Sequence, residues 1–183
     1  MQINVMPDAD QAVATFRYAR PDDVPSIPFR AGNVGFGVSC GLSPIVALLA
    51  PKHTPKHSAP STPDHLVIIE NPEAHLHPAG QTSLAELAAR AVASGTQVIL
   101  ETHSDHVLDG VRLAVRDGIL SPDRVVIHFF ERDGLEVRVT TPVLTPDGQL
   151  AVGPAGFFDQ HERNLSQLIG LASPMGASQQ VSP

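Results

Sequence analysis

Four apolar residues followed at once by a carboxylate, Leu66-Val67-Ile68-Ile69-Glu70, constrain this chain more than any other stretch. Three of the four are β-branched. A continuous run of this kind predicts a strand buried on both faces, as inside a parallel sheet. In open α/β sheets, ligands bind beyond the carboxyl ends of the strands, so Glu70 stands where chemistry is expected. Asn71, Pro72 and Glu73 turn the chain. His75-Leu76-His77-Pro78 then leads into a helix predicted to run to about Ala93, with Leu84, Leu87, Ala88 and Ala91 at helical spacing and Gly95 ending it.

The same pattern continues downstream. Gln97 to Leu100 predict a second buried strand, and Ser104 or Thr102 caps the next helix, with Asp105 at its positive end. Val107, Leu108, Val111 and Val115 form its inner stripe, and Gly118 closes it. Val125 to Phe130 predict a third strand. Asp133-Gly134 marks a two-residue hairpin turn, with return through Leu135 to Thr140. Pro142 to Pro154 reads as irregular, Phe158 to Ile169 as a short helix, and 170–183 as a disordered tail. Strand, helix, strand, helix, strand in this order predicts a parallel sheet.

Upstream, Gln11 to Arg20 has strand character, and Pro21, Pro25 and Pro28 break the next stretch into loop. Gly32 to Gly37 predict a glycine-rich turn. Ser43 is expected to cap a short helix starting at Pro44 and running to Ala50. Residues 51–64 read as an exposed loop, and they hold both lysines of the chain, Lys52 and Lys56.

LVIIENPEAHLHP, at 66–78, resembles the Walker B strand and following D-loop of ABC-type ATPases. It is closest to OLD-like and RecF-like AAA ATPases of bacterial defence and DNA metabolism. QVILETHSDH, at 97–106, resembles the next strand of that fold with its switch histidine. NVGFGVSCGLSPIVALL, within 32–50, resembles the signature segment, although Cys40-Gly41-Leu42-Ser43 departs from the bulkier residues of the family. GPAGFFDQ matches a further segment of the same subgroup. The four occur in family order and cover roughly Gly32 to Ile169.

The resemblance implies an α/β fold: a partial P-loop NTPase, ABC-ATPase-like three-layer sandwich with a mostly parallel sheet and an antiparallel C-terminal hairpin. Residues 1–169 would be the C-terminal portion of one ATPase domain, with the hairpin and last helix at 124–169. The implied cofactors are ATP and Mg²⁺. The implied partners are a second copy or a lobe carrying Walker A, with a nuclease as a further partner and nucleic acid engaged only indirectly.

Each candidate residue has a functional and a structural reading. Glu70 is the candidate Mg²⁺ ligand, since magnesium takes oxygen ligands and keeps waters; the alternative is a solvated strand-end glutamate. Asn71 stands where ABC-type ATPases carry the catalytic glutamate. An amide orients water but accepts no proton at neutral pH. The resemblance implies Glu73 as the candidate base, because Asn or Gln is common at position 71 in that subgroup while Glu73 is retained; the alternative is a turn residue or salt-bridge partner. His103 is the candidate donor to the γ-phosphate, within a Glu101-Thr102-His103-Ser104-Asp105-His106 segment that matches the family; the alternative is a helix-capping or loop histidine. Gly35, Gly37 and Ser39 are candidates to contact ATP held by an opposite subunit, because glycines admit phosphates and helix starts attract anions. The alternative is an ordinary turn.

G-x-x-x-x-G-K-[ST], the loop that cradles the β/γ-phosphates, is absent from the 183 residues. By resemblance it belongs to a lobe N-terminal to the signature. The expectation is a C-terminal half that binds ATP weakly and hydrolyses it negligibly alone. Without its central neighbour, the Gln97–Leu100 strand is expected to present an unpaired apolar edge or to have Val125–Phe130 collapsed against it.

Length suggests one domain. A net charge of −7 argues against a broad phosphate-binding surface. The single cysteine, Cys40, cannot form an internal disulfide, which fits a reducing cytoplasm. No apolar run reaches the ~20 residues of a membrane helix, and no secretory signal is visible. Two other readings compete. In one, His75-x-His77 and His103-x-x-His106 with Asp105 belong to a His/Asp metallohydrolase. In the other, the chain is an interaction module or a gene remnant without catalysis.

Overall fold

The computed structural model describes residues 2–6, 11–17, 24, 26–50, 65–151, 157–158 and 160–170. The expected loop 51–64 with Lys52 and Lys56, Pro21 and Pro25, residues 153–156 and 159 of the GPAGFFDQ segment, and the expected tail from 171 onward lie outside these residues. The chain divides between Leu120 and Ser121 into two compact units.

The first unit opens with three antiparallel strands in the order β1 (Gln2–Met6), β2 (Gln11–Phe16) and β3 (Phe29–Arg30). A 3₁₀ turn over Ala31–Asn33 leads into α1, Phe36–Leu49. The glycine-rich segment is turn as far as Gly35, but the helix starts at Phe36, so Pro44 lies inside α1 rather than at its start. The proline lacks the N–H that would bond the Cys40 carbonyl, yet the helix continues through it. The sequence pattern missed this because Gly37 read as a turn residue. It is glycine for another reason: its added Cβ would lie 2.5 Å from the His75 carbonyl oxygen, whereas one on Gly41 would make an ordinary 3.5 Å contact with the Leu76 Cδ2.

Then come β4 (Leu66–Glu70), α2 (Pro78–Ala93), β5 (Gln97–Glu101) and α3 (Asp105–Arg116). β4 and β5 are parallel, Leu66 opposite Gln97 through Glu70 opposite Glu101. Pro78 occupies the first turn of α2, where its missing N–H costs nothing. Gly95 ends the helix at φ +103°, a left-handed value that suits glycine. Ser104 caps α3 by accepting the Val107 N–H. Helices α2 and α3 pack closely at Gly110, where an added Cβ would come within 2.6 Å of both the Ala85 Cβ and the Thr82 carbonyl oxygen.

The core lies on one face of the two-stranded sheet. Leu48 from α1, Val67 from β4 and Leu84, Ala88 and Ala91 from α2 form it, with Ile69, Val98 and Leu100 packed against it. Side chains alternate along a strand, so Leu66, Ile68 and Ile99 point the other way. They are 55 %, 62 % and 48 % exposed. Burial on both faces, expected for both strands, is thus not found, and neither is a third layer among the described residues of this unit. β5 pairs with β4 and with no other described strand.

The second unit is antiparallel. The third strand starts later than predicted: β6 spans Phe129–Asp133 and pairs with β7, Glu136–Thr140. Val125 to His128 are not strand. The two residues between the strands are Gly134 and Leu135, with Gly134 at φ +65°, one position later than the expected Asp133-Gly134 pair. β8 (Val143–Leu144) and β9 (Leu150–Ala151) pair across a turn within the stretch read as irregular, with Gly148 at φ +77°. Phe157 meets both Phe129 and Phe158 edge-on at 5.0 Å. α4, Gln160–Leu168, ends the described chain.

Candidate functional site

The parallel register puts Glu70 and Glu101 side by side at the carboxyl ends of β4 and β5. Both are exposed, and by alternation both lie on the open face with Ile68 and Ile99. The Asn71 N–H donates to the Glu101 carbonyl at 2.9 Å, which extends the ladder by one residue. Asn71 then turns out at φ +46°, a left-handed conformation that asparagine tolerates better than most residues. The turn closes through the Ala74 N–H to the Asn71 carbonyl and the Leu76 N–H to the Glu73 carbonyl, both 3.0 Å, with His75 at φ +62°.

Glu73 reaches from this turn to the segment after β5. One carboxylate oxygen accepts the Thr102 hydroxyl at 2.7 Å, and the other accepts the His103 backbone N–H at 2.8 Å. Partial burial pushes the Glu73 carboxyl up. The His103 N–H, the Thr102 hydroxyl, its own N–H and the charge of His103 outweigh that and hold it below its ordinary value. These donors hold Glu73 as a carboxylate that bridges the turn after β4 and the segment after β5.

A second link runs parallel to the first. Gln81, on the first turns of α2, donates from Nε2 to the Leu76 carbonyl at 2.9 Å and accepts the Ser104 hydroxyl at 2.5 Å. Ser104 is 8 % exposed and caps α3 with the same oxygen. Thr102 also accepts the Ser104 N–H at 3.1 Å. Each polar group buried at this junction therefore has a partner, as burial demands. Sequence reasoning missed Gln81. Its only signal was a polar residue three positions into a helix that is otherwise alanine-rich on its inner side.

α1 meets the same turn. A Cβ on Gly37 would lie 2.5 Å from the His75 carbonyl oxygen, and the Phe36 and His75 rings meet edge-on with centroids 4.6 Å apart. Gly35 is the N-cap of α1 and provides no side-chain cap; Ser39 lies within the first turns. Glu70, Asn71, Glu73 and His103 thus share one end of the sheet, and Gly37 abuts their turn through His75.

Residues 31–108 match the AAA ATPase domain family. The matched stretch contains the signature-like, Walker B-like and switch-histidine segments, and so each residue placed above. The match supports an AAA-type ATPase for this stretch, with the P-loop NTPase α/β fold and, coarsely, ATP binding and hydrolysis. Nucleotide and, as a rule, Mg²⁺ go with that class. Residues 120–168 match a second family, described as a protein of unknown function, DUF3696. That match begins beside the division between the two compact units, so the AAA match does not extend to the hairpin and last helix. No curated protein matches the chain.

Glu70 offers exposed carboxylate oxygens with a second carboxylate, Glu101, next to it in register, and a hard cation that keeps several waters fits such donors. Among the described residues no group of three or more His, Cys, Asp or Glu side chains is placed to hold a metal. Among the same residues no helix is long and apolar enough to cross a membrane.

Proposed function

We propose that residues 31–108 are the Mg²⁺ and γ-phosphate side of an ABC/OLD-like ATP site whose phosphate-cradling loop comes from outside these 183 residues. The observation that carries the reading is the convergence of Glu70, Asn71 and His103 at one sheet end, joined by the β4–β5 register and the Glu73–His103 hydrogen bond. Glu70 would hold Mg²⁺, which in this class neutralises phosphate charge. His103 would donate to the γ-phosphate, and Asn71 would orient the attacking water through its amide. The start of α1, with Gly35, Gly37 and Ser39, would face ATP bound on a second copy. The open face of Leu66, Ile68 and Ile99 supports a covering lobe that carries Walker A. Chemistry coupled to turnover, a nuclease included, would reside in a partner.

The test is nucleotide binding by the 183-residue chain with and without an added Walker A lobe. Binding and ATPase activity restored by the lobe, and lost in Glu70→Gln, are the expected results. A lobe that folds and docks yet restores no nucleotide binding overturns the proposal. The same uncovered face supports a second reading, an interaction module without catalysis; in that case docking occurs and turnover does not.

A further inference from the structure

We infer that Glu73 is a positioning residue, which fixes the His103 segment against the turn after β4 and links His103 to the start of α1. Its two carboxylate oxygens meet two donors from consecutive residues, Thr102 and His103, about thirty positions further along the chain. A side chain that served only the turn would bond within the turn. Here both oxygens are engaged, one by each of two consecutive residues of the far segment. Gln81 joins the same two segments a second time, through the Leu76 carbonyl and the Ser104 hydroxyl.

The turn so anchored has no slack on its other side. The His75 carbonyl fills the space where residue 37 would carry a Cβ, and the His75 ring rests on Phe36. A shift of His103 is therefore passed through Glu73 to His75 and on to Phe36 and Gly37. The functional consequence rests on the ATPase reading: a ligand contact at His103 would be felt at the start of α1, the segment expected to face ATP on a second copy. The contact chain itself does not depend on that reading.

Amide exchange and ¹H–¹⁵N spectra of the full chain, as wild type, Glu73→Ala and Glu73→Gln, test the link directly. In Glu73→Ala the His103 amide should exchange about tenfold faster or more, the scale of a lost charge-assisted hydrogen bond, while Ala88 and Ala89 keep their protection. Glu73→Gln should be intermediate, because its Oε1 can still accept the His103 N–H. The His103 amide resonance should move as Glu73 takes up a proton in the wild type, and that component should be lost in Glu73→Gln. Unchanged His103 protection in a folded Glu73→Ala overturns the inference; if that variant does not fold, a flat wild-type titration overturns it. With the Walker A lobe and a non-hydrolysable ATP analogue added, Phe36 and Gly37 amides should respond in wild type and respond at least about threefold less in Glu73→Gln. Equal responses refute the coupling. Absence of nucleotide binding by the wild type refutes the ATPase reading and leaves the exchange result standing.

Discussion

The carbonyl oxygen of His75 occupies the space beside Gly37 so closely that a Cβ there would lie 2.5 Å away. The turn after β4 and the first turn of α1 are fitted backbone to backbone, with no flexible side chain between them to give way.

Gly37→Ala is expected to destabilise the first unit by about 1–3 kcal/mol, the usual cost of overpacking, despite the better helix propensity of alanine. Gly41→Ala, in the same helix and with its added Cβ at an ordinary 3.5 Å from the Leu76 Cδ2, is the control. Urea denaturation followed by circular dichroism separates the two; equal midpoints would show that the turn can retreat.

Gly110 and Gly80 make a second contrasting pair. An alanine at 110 would press on Ala85 and the Thr82 carbonyl at 2.6 Å and push α3 from α2, at a cost of about 1–3 kcal/mol. At 80, the nearest heavy atom to the added Cβ, the Leu76 Cβ, is 3.8 Å away, so Gly80→Ala should stabilise by roughly 0.5 kcal/mol. Thermal unfolding of the two variants should shift in opposite directions.

The Glu73 carboxyl lies below its ordinary value of 4.5, held there chiefly by hydrogen bonds that prevail over burial. A folded-state value below the unfolded one makes the carboxylate stabilising at every pH above the unfolded value. That contribution fades as pH falls from 4.5 through the lower folded value. The stability difference between wild type and Glu73→Gln should therefore be constant from about pH 7 to about pH 5 and shrink toward about pH 3. Urea midpoints across that range check it, and a difference that grows on acidification would reverse the sign.

Ile68→Thr with Ile99→Thr changes two side chains that are 62 % and 48 % exposed on the same face. Threonine keeps strand propensity, and surface changes of this kind alter stability by about 0.5 kcal/mol or less. Self-association of the isolated chain, measured by sedimentation, should fall while its circular dichroism is unchanged. A wild-type chain that stays monomeric at high concentration would remove the premise.

Local signals made much of this fold legible. Pro78 and Gly95 bounded α2 because a proline at a helix start and a left-handed glycine after its end are conformational requirements of the backbone itself. Ser104 and Asp105 marked α3 for similar reasons. The start of α1 was illegible because Gly37 serves a tertiary contact with His75, which no window of sequence reveals. The strands were found but their burial was misjudged: an unbroken apolar run shows that both faces are suited to cover, not that the cover lies within these residues. At the site, the candidates Glu70, Asn71, Glu73 and His103 were brought to one end by parallel register. The partners that hold Glu73, and the link through Gln81, depend on a loop-to-loop approach that sequence spacing cannot express.

The one-sided packing of β4 and β5 has a cellular corollary. Two strands with a single sheltered side make a poorly autonomous body, and oily residues left facing water attract chaperones and proteases. The lifetime of this polypeptide should then track the supply of whatever caps Ile68 and Ile99, and co-expression of that lid should lengthen it in a pulse-chase measurement.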